Sequence, residues 1–398
     1  MASMSLREHL FTPGPKRVLA LDGGGIRGVV SLQILEQVEA ILRRRRGGDE
    51  SFRLCDYFDL IGGTSTGAII AAALSIGMSV AEIATFYDSL GKSIFQHEWF
   101  RPGLLRPKYQ KEPLEQALHR VFRNLTFDSE EIRTGLAVVL KRRDTKSPWV
   151  VHNNPRSKYF DVRPGQLGAA NGKLLVREVV RASTAAPHYF DPELVQIATS
   201  SSGQPINGLF VDGGVSPHNN PALQLVMLAW IGGYGYRWDV GRDRLLVVSI
   251  GTGDSKAPLP IDDLEEQSAA VQSIGSLAAL MDDAGNLNET ILQWMSASPT
   301  ARVINREVWD LSGDILGARE PLLSYLRYNA WLDADWLSER QLKFTSTELE
   351  NIRGMDNPKN IGQLKDIGRA AASAVIEEHF PPAFDSSGPA AAGTHSGP

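Results

Sequence analysis

Short apolar runs alternate along this chain with stretches in which apolar residues recur every three or four positions. The run VLAL at 18–21 is the first, and Gly23, Gly24 and Gly25 close it. So short a run bounded by glycine predicts a buried strand. Val30, Ile34, Val38 and Ile41 follow at helical spacing, then four arginines at 43–46 and two glycines. Cations in a last turn complement the helix dipole, and glycine beyond it takes the left-handed conformation that stops a helix. The unit repeats: YFDLI at 57–61 ends in Gly62 and Gly63, and a small-residue helix is expected over 68–77. Two strand–glycine–helix units predict a three-layer α/β/α sandwich with a mainly parallel central sheet.

Apolar runs at 136–140, 149–151, 209–211 and 245–250 predict further strands, and 80–90, 113–122, 174–181 and 221–231 read as helices. Beyond Gly253 the pattern changes. Residues 262–296 and 346–379 carry helical periodicity, with no strong strand expected between them. The resulting division is an N-terminal arm at 1–16, a core at 17–253, a helical C-terminal extension at 254–380 and a tail at 381–398. The tail is rich in Pro, Gly, Ala and Ser, so disorder is expected there, and removing it from Ala383 onward is expected to leave stability unchanged.

Composition narrows the function. Hydrophobic residues at 42% and charged residues at 22% of 398 are those of a folded globular protein. The longest apolar runs, at 68–74 and 225–231, fall far short of the roughly 20 residues that span a bilayer. The first residues carry no apolar leader. A cytoplasmic protein is expected, with at most peripheral contact at a membrane. Lys plus Arg number 41 against 46 Asp plus Glu, a formal charge of −5, which argues against nucleic acid as a partner. Cys55 is the single cysteine, which excludes an internal disulfide and a multi-cysteine metal site. No HExxH or EF-hand pattern is present, and neither metal nor cofactor is expected.

Three motifs carry chemistry. Gly63, Thr64, Ser65, Thr66 and Gly67 form a G-x-S-x-G between a predicted strand and a predicted helix. Flanking glycines permit a sharp turn that lifts the hydroxyl out of the sheet, and the helix start offers positive dipole to a developing oxyanion. The second motif is DGGGIRG at 22–28, whose consecutive glycines expose N–H groups at a helix start. It also reads as G-x-G-x-x-G. A dinucleotide fingerprint, however, wants a second strand ending in an acidic residue about 20 positions on. Asp49 and Glu50 follow RRRRGG instead of an apolar strand, so that reading is set aside. The third is Asp212, Gly213 and Gly214, after an apolar run. In isolation it is an Asp-Gly turn. As the base for a serine it needs burial, since a carboxylate near its reference pKa of about 3.9 is a weak acceptor.

Together the three motifs resemble those of the patatin-like phospholipase family, in that family's order. RASTAAPHYF at 181–190 and VSIGTG at 248–253 add to the likeness, which covers residues 17–253. The resemblance implies a Ser-Asp dyad with Ser65 as nucleophile and Asp212 as general base. It implies an oxyanion hole from Gly23, Gly24 and Gly25, with Arg27 and Gly28 in the same motif. It further implies hydrolysis of acyl esters of phospholipids or other acyl lipids, of phospholipase A type, without active-site calcium. Ala68 stands where many members carry glycine; alanine is a good helix former, so no loss of function follows.

Two other readings stay open at this point. One is a conventional Ser-His-Asp esterase using His218 or His379. The other is a non-catalytic sensor on the same fold. His9 and His395 are expected in flexible ends, and His97, His119 and His152 as surface or core groups. A basic stretch at 99–111, interleaved with Trp99, Phe100, Leu104, Leu105 and Tyr109, has the composition of a contact with an anionic membrane surface. Oligomeric state, head group and activating ligand are not specified.

Overall fold

The computed structural model describes residues 4–95, 109–161, 170–256, 269–316 and 320–385. Most of the basic stretch at 99–111, and the tail from residue 386, lie outside the described residues.

Among these residues nine strands form one sheet. β1 (Lys16–Leu21) lies between β2 (Leu60–Thr64) and β7 (Leu245–Ile250), parallel to both. β2 pairs in parallel with β3 (Gly135–Arg142). Beyond β3 the pairing turns antiparallel, through β4 (Pro148–His152), β6 (Pro205–Asp212) and β5 (Glu193–Thr199). On the other side β7 pairs in parallel with β9 (Leu323–Tyr328), which carries the two-residue β8 (Ser296–Ala297).

Every residue of β1, β2 and β7 is buried. Helices cover both faces, which is why these strands read as continuous apolar runs. Successive side chains leave a strand on opposite faces. Leu19 and Leu21 thus join the core under α2 (Gly28–Arg45) and α3 (Thr66–Ser75), while Val18 and Ala20 join the one under the helix Ala222–Trp230. The fold is the three-layer α/β/α sandwich with a mostly parallel sheet.

Three expectations are corrected. A strand does stand between the two helical stretches after Gly253, where no strong strand is expected: β9 extends the central sheet. Its apolar run is broken by Ser324 and Arg327, whose polar groups find partners inside: Ser324 Oγ donates to Arg242 O at 2.7 Å, and both Arg327 Nη atoms donate to Asp22. The N-terminal arm folds as α1 (Leu6–Phe11), whose capping box joins Ser5 and Glu8. Leu10 and His9 are buried there, so His9 is no end group. The tail is ordered to Asp385: Phe384 is 0% exposed, its carbonyl accepts from Arg17 Nη1 at 3.2 Å, and Asp385 pairs with Arg45. Truncation from Ala383 therefore removes packed structure.

Candidate active site

β2 ends at Thr64 and α3 begins at Thr66, so Ser65 makes the turn alone. It does so at φ 54° and ψ −122°, a conformation that costs a non-glycine residue of order 1–3 kcal/mol. The turn is tight enough to exclude side chains beside it. A Cβ on Gly63 would lie 2.1 Å from Gly67 O, and one on Gly67 would lie 2.2 Å from Leu21 O. Ser65 N–H donates to Ser183 Oγ at 2.9 Å, and Ser183 Oγ donates to Val139 O at 2.5 Å.

Register brings the acid to the serine. Thr64 pairs with Val139 on β3, and the next β3 residue, Leu140, pairs with Asp212 at the end of β6. Ser65 Oγ donates to Asp212 Oδ2 at 2.6 Å, and Gly214 N–H donates to Oδ1 at 2.6 Å. Asp212 is only 4% exposed. Burial pushes its carboxyl up to about 6, against the opposing pull of the Ser65 and Gly214 hydrogen bonds and of Arg181. A carboxylate so raised accepts a proton near neutral pH far better than one in water. Gly213 fits under β3, where a Cβ would meet Val139 O at 2.4 Å.

Among the described residues no imidazole hydrogen-bonds Ser65 or Asp212. His218 offers its carbonyl to Thr64 Oγ1 at 2.6 Å, and its ring Nδ1 is buried without a hydrogen-bond partner. The His379 ring meets Tyr328 OH at 3.0 Å. His152 packs on Tyr236, with burial pushing it down to about 4.

The glycine loop after β1 is anchored at almost every polar atom. Asp22 N–H donates to Ile250 O at 3.1 Å, Gly23 N–H to Asn219 O at 3.1 Å, and Ile26 N–H to Met355 O at 2.8 Å. Gly23 O accepts from Thr252 Oγ1 at 3.0 Å, and Gly25 O accepts from Tyr87 OH. The N–H groups of Gly24 and Gly25 have no partner among the described residues. Both glycines line, with Ser65 and Asp212, a cavity of about 190 Å³. Gly25 sits at φ 58°, and a Cβ there would lie 2.2 Å from Met355 O. Gly28 packs against Thr66 and Tyr87, whose hydroxyls hydrogen-bond each other. Arg27 does not line the cavity; its Nη1 donates to Arg353 O at 3.3 Å.

Several of these contacts were not anticipated. Ser183 and Thr252 lie inside RASTAAPHYF and VSIGTG, the two segments already noted for their likeness. Met281 and Met355, which line the cavity, come from the region that carries no motif. Among the described residues no three His, Cys, Asp or Glu side chains gather as metal ligands, and no helix is long and apolar enough to cross a membrane.

The family profile described as Patatin-like phospholipase matches residues 19–226, over half of the chain. This chain belongs to the patatin-like phospholipase family. A cGAMP-activated phospholipase of Escherichia coli (strain TW11681) is 29% identical over 241 residues, covering 59% of this chain and 62% of that relative. Patatin-17 of Solanum cardiophyllum is 29% identical over 257 residues, covering 59% and 60%. The chain thus spans about three fifths of the length of these curated relatives. The solved structure of VipD from Legionella pneumophila aligns at 15% identity with a TM-score of 0.33, over 89% of this chain and 67% of its own. All three patatin-like motifs, DGGGIRG, GTSTG and DGG, fall inside the matched residues. Thr252, Met281, Arg327 and Met355 fall outside them.

Proposed function

We propose that this chain is a lipid acyl hydrolase of phospholipase A type, acting through an acyl-enzyme on Ser65 with Asp212 as base. The observation that carries the reading is the 2.6 Å hydrogen bond from Ser65 Oγ to Asp212 Oδ2 at a strained elbow in an apolar cavity. Asp212 takes the Ser65 proton as Oγ attacks the ester carbonyl carbon. The carbonyl π electrons move onto oxygen, which the Gly24 and Gly25 N–H groups and the start of α3 stabilise. Collapse expels the alcohol, here a lysolipid, which takes the proton from Asp212. Water then attacks the acyl carbon while Asp212 takes its proton and later returns it to Ser65 Oγ. Ile69, Leu114, Phe190, Val215 and Met281 give the cavity walls suited to an acyl chain. The family, and relatives named as phospholipases, support a phospholipid substrate met at a membrane surface.

The test is mass spectrometry of products from mixed phospholipid vesicles, comparing the full chain with Ser65→Ala. One relative is named for activation by cGAMP, so the assay is run with and without it. Free fatty acid and lysophospholipid are expected from the wild type. Ser65→Ala should give neither, should not label with a fluorophosphonate probe, and should keep its circular dichroism. Labelling that persists on another serine would sink the assignment. Turnover of soluble p-nitrophenyl butyrate is expected to survive EDTA; loss restored by calcium would contradict the metal-free mechanism.

A further inference from the structure

The C-terminal part of the chain meets the glycine loop through the carbonyls of Met355 and Arg353, which accept from Ile26 N–H and Arg27 Nη1, and through one side chain, that of Arg327. Arg327 stands on β9, and its Nη1 donates to Asp22 Oδ1 at 3.1 Å and to Ser249 Oγ at 2.9 Å. Its Nη2 donates to Asp22 Oδ2 at 2.7 Å. Both side chains are buried, at 9% and 8% exposure. Behind Arg327, its Nε lies 3.8 Å from Glu289 Oε2, and Glu289 Oε1 accepts from Arg302 Nε at 2.7 Å. Two acids and two arginines alternate and balance.

The geometry points to Arg327 as a positioning residue, which clamps Asp22 and thereby fixes the loop that presents the Gly24 and Gly25 N–H groups. This inference rests on the hydrolase reading above. Consecutive glycines have little conformational preference of their own, so such a loop must be held from outside. A guanidinium gripping both carboxylate oxygens sets direction as well as distance, which a single hydrogen bond does not. Asp22 stands two residues before Gly24, and its N–H is already tied to Ile250 O. The fork adds a directional side-chain anchor at the first residue of the loop to the backbone anchors at Gly23, Gly25 and Ile26. Stapling β9 to the sheet does not account for the pair, because β7 lies between β1 and β9 and pairs with each along its length. A buried ion pair is also weak as a source of net stability. Misplacement of a reacting group by about 1 Å can cost about 10²-fold in rate, so precision is where such a clamp acts.

The test uses the full chain, p-nitrophenyl butyrate, kcat and KM, with melting temperature measured beside them. Arg327→Met leaves Asp22 buried and uncompensated and is expected to lose stability and kcat together. Asp22→Asn combined with Arg327→Met removes both charges. In this double variant the melting temperature is expected to recover most of the way, while kcat stays about 10- to 100-fold below wild type, with KM within about twofold. Arg327→Lys keeps the charge without the fork, so it should fold and lose kcat about tenfold. Wild-type kcat in Arg327→Lys, kcat that recovers with stability in the double variant, or a loss confined to KM would each overturn the inference. A wild type that neither turns over ester nor labels with fluorophosphonate overturns the hydrolase reading and this inference together. Wild-type turnover with unaffected variants overturns this inference alone.

Discussion

Asp59 and Asp212 are both buried aspartates at the ends of one sheet, and their surroundings drive them in opposite directions. Asp59 precedes β2, and Ser65 follows it. Burial pushes the Asp59 carboxyl up, but Arg17, His9 and Lys16 outweigh it and hold it at about 2. Arg17 alone offers three donors, its backbone N–H at 2.8 Å and its guanidinium at 3.0 and 3.1 Å. Asp212 receives one hydroxyl and one backbone N–H, with Arg181 as the cation in its surroundings, and burial carries it to about 6. Near-equal burial gives a permanent anion in one place and, on the proposed mechanism, the proton acceptor in the other. The difference lies in the number of charged partners, and the poorer environment is the one suited to chemistry.

Removing each charge in turn should separate the two roles. Asp212→Asn is expected to cut kcat on a soluble ester by about 10⁴-fold, as for other losses within a catalytic unit. The same change should raise stability. An acid whose folded pKa lies above its unfolded value penalises folding progressively as pH rises from the unfolded value to the folded one, and in full above it, so above about pH 6 the neutral amide should gain about 3 kcal/mol by thermal melting. Lower stability in Asp212→Asn would break the comparison.

At the other end, Arg17→Met leaves Asp59 buried without its guanidinium, with only His9, Lys16 and the residue 17 backbone N–H beside it among the described residues. A loss of about 3–5 kcal/mol in denaturant unfolding is expected, with kcat of the folded fraction unchanged. Acid should distinguish the pair again. kcat/KM is expected to fall about tenfold per pH unit below about 6, as Asp212 takes up a proton. The stability contributed by Asp59 is complete above its unfolded pKa and is lost as pH falls from about 4 towards 2, a change of about 2 kcal/mol. A rate profile flat to pH 4 would remove Asp212 from the proton path. The smallest effect is expected from His218→Ala and His379→Ala, each within about threefold of wild-type kcat, because neither ring meets the dyad; a loss as deep as that of Ser65→Ala would restore a triad.

The elbow was legible because its device is local: the glycines that make room for Ser65 stand two residues to either side. Asp212 by itself read as a turn, since its partner lies 147 positions away, and only the three motifs in order marked it. β9 escaped because periodicity registers Ser324 and Arg327 as breaks, while the structure gives them distant partners in Arg242 and Asp22. Phe384 escaped for a related reason. One aromatic among prolines, serines and alanines reads as solvent-exposed until Arg17 and the core meet it, 367 positions back. Pattern reading reports the period of a segment; it does not report the distant group that makes an irregular residue acceptable.

On the clamp proposed above, the span between Asp22 and Arg327 also governs when the molecule reaches its full rate. The two are separated by 305 positions, and β9 is made long after the elbow and the glycine loop. At about 5–20 residues per second a ribosome needs about 15–60 s to cover that interval. Asp212 is made 115 positions before Arg327, so for the last part of that interval, about 6–23 s, the growing chain carries Ser65 and Asp212 without the strand that clamps the glycine loop. On the proposed reading, a lipid hydrolase assembled in this order turns over slowly while on the ribosome and gains its full rate late, with the strand that completes it.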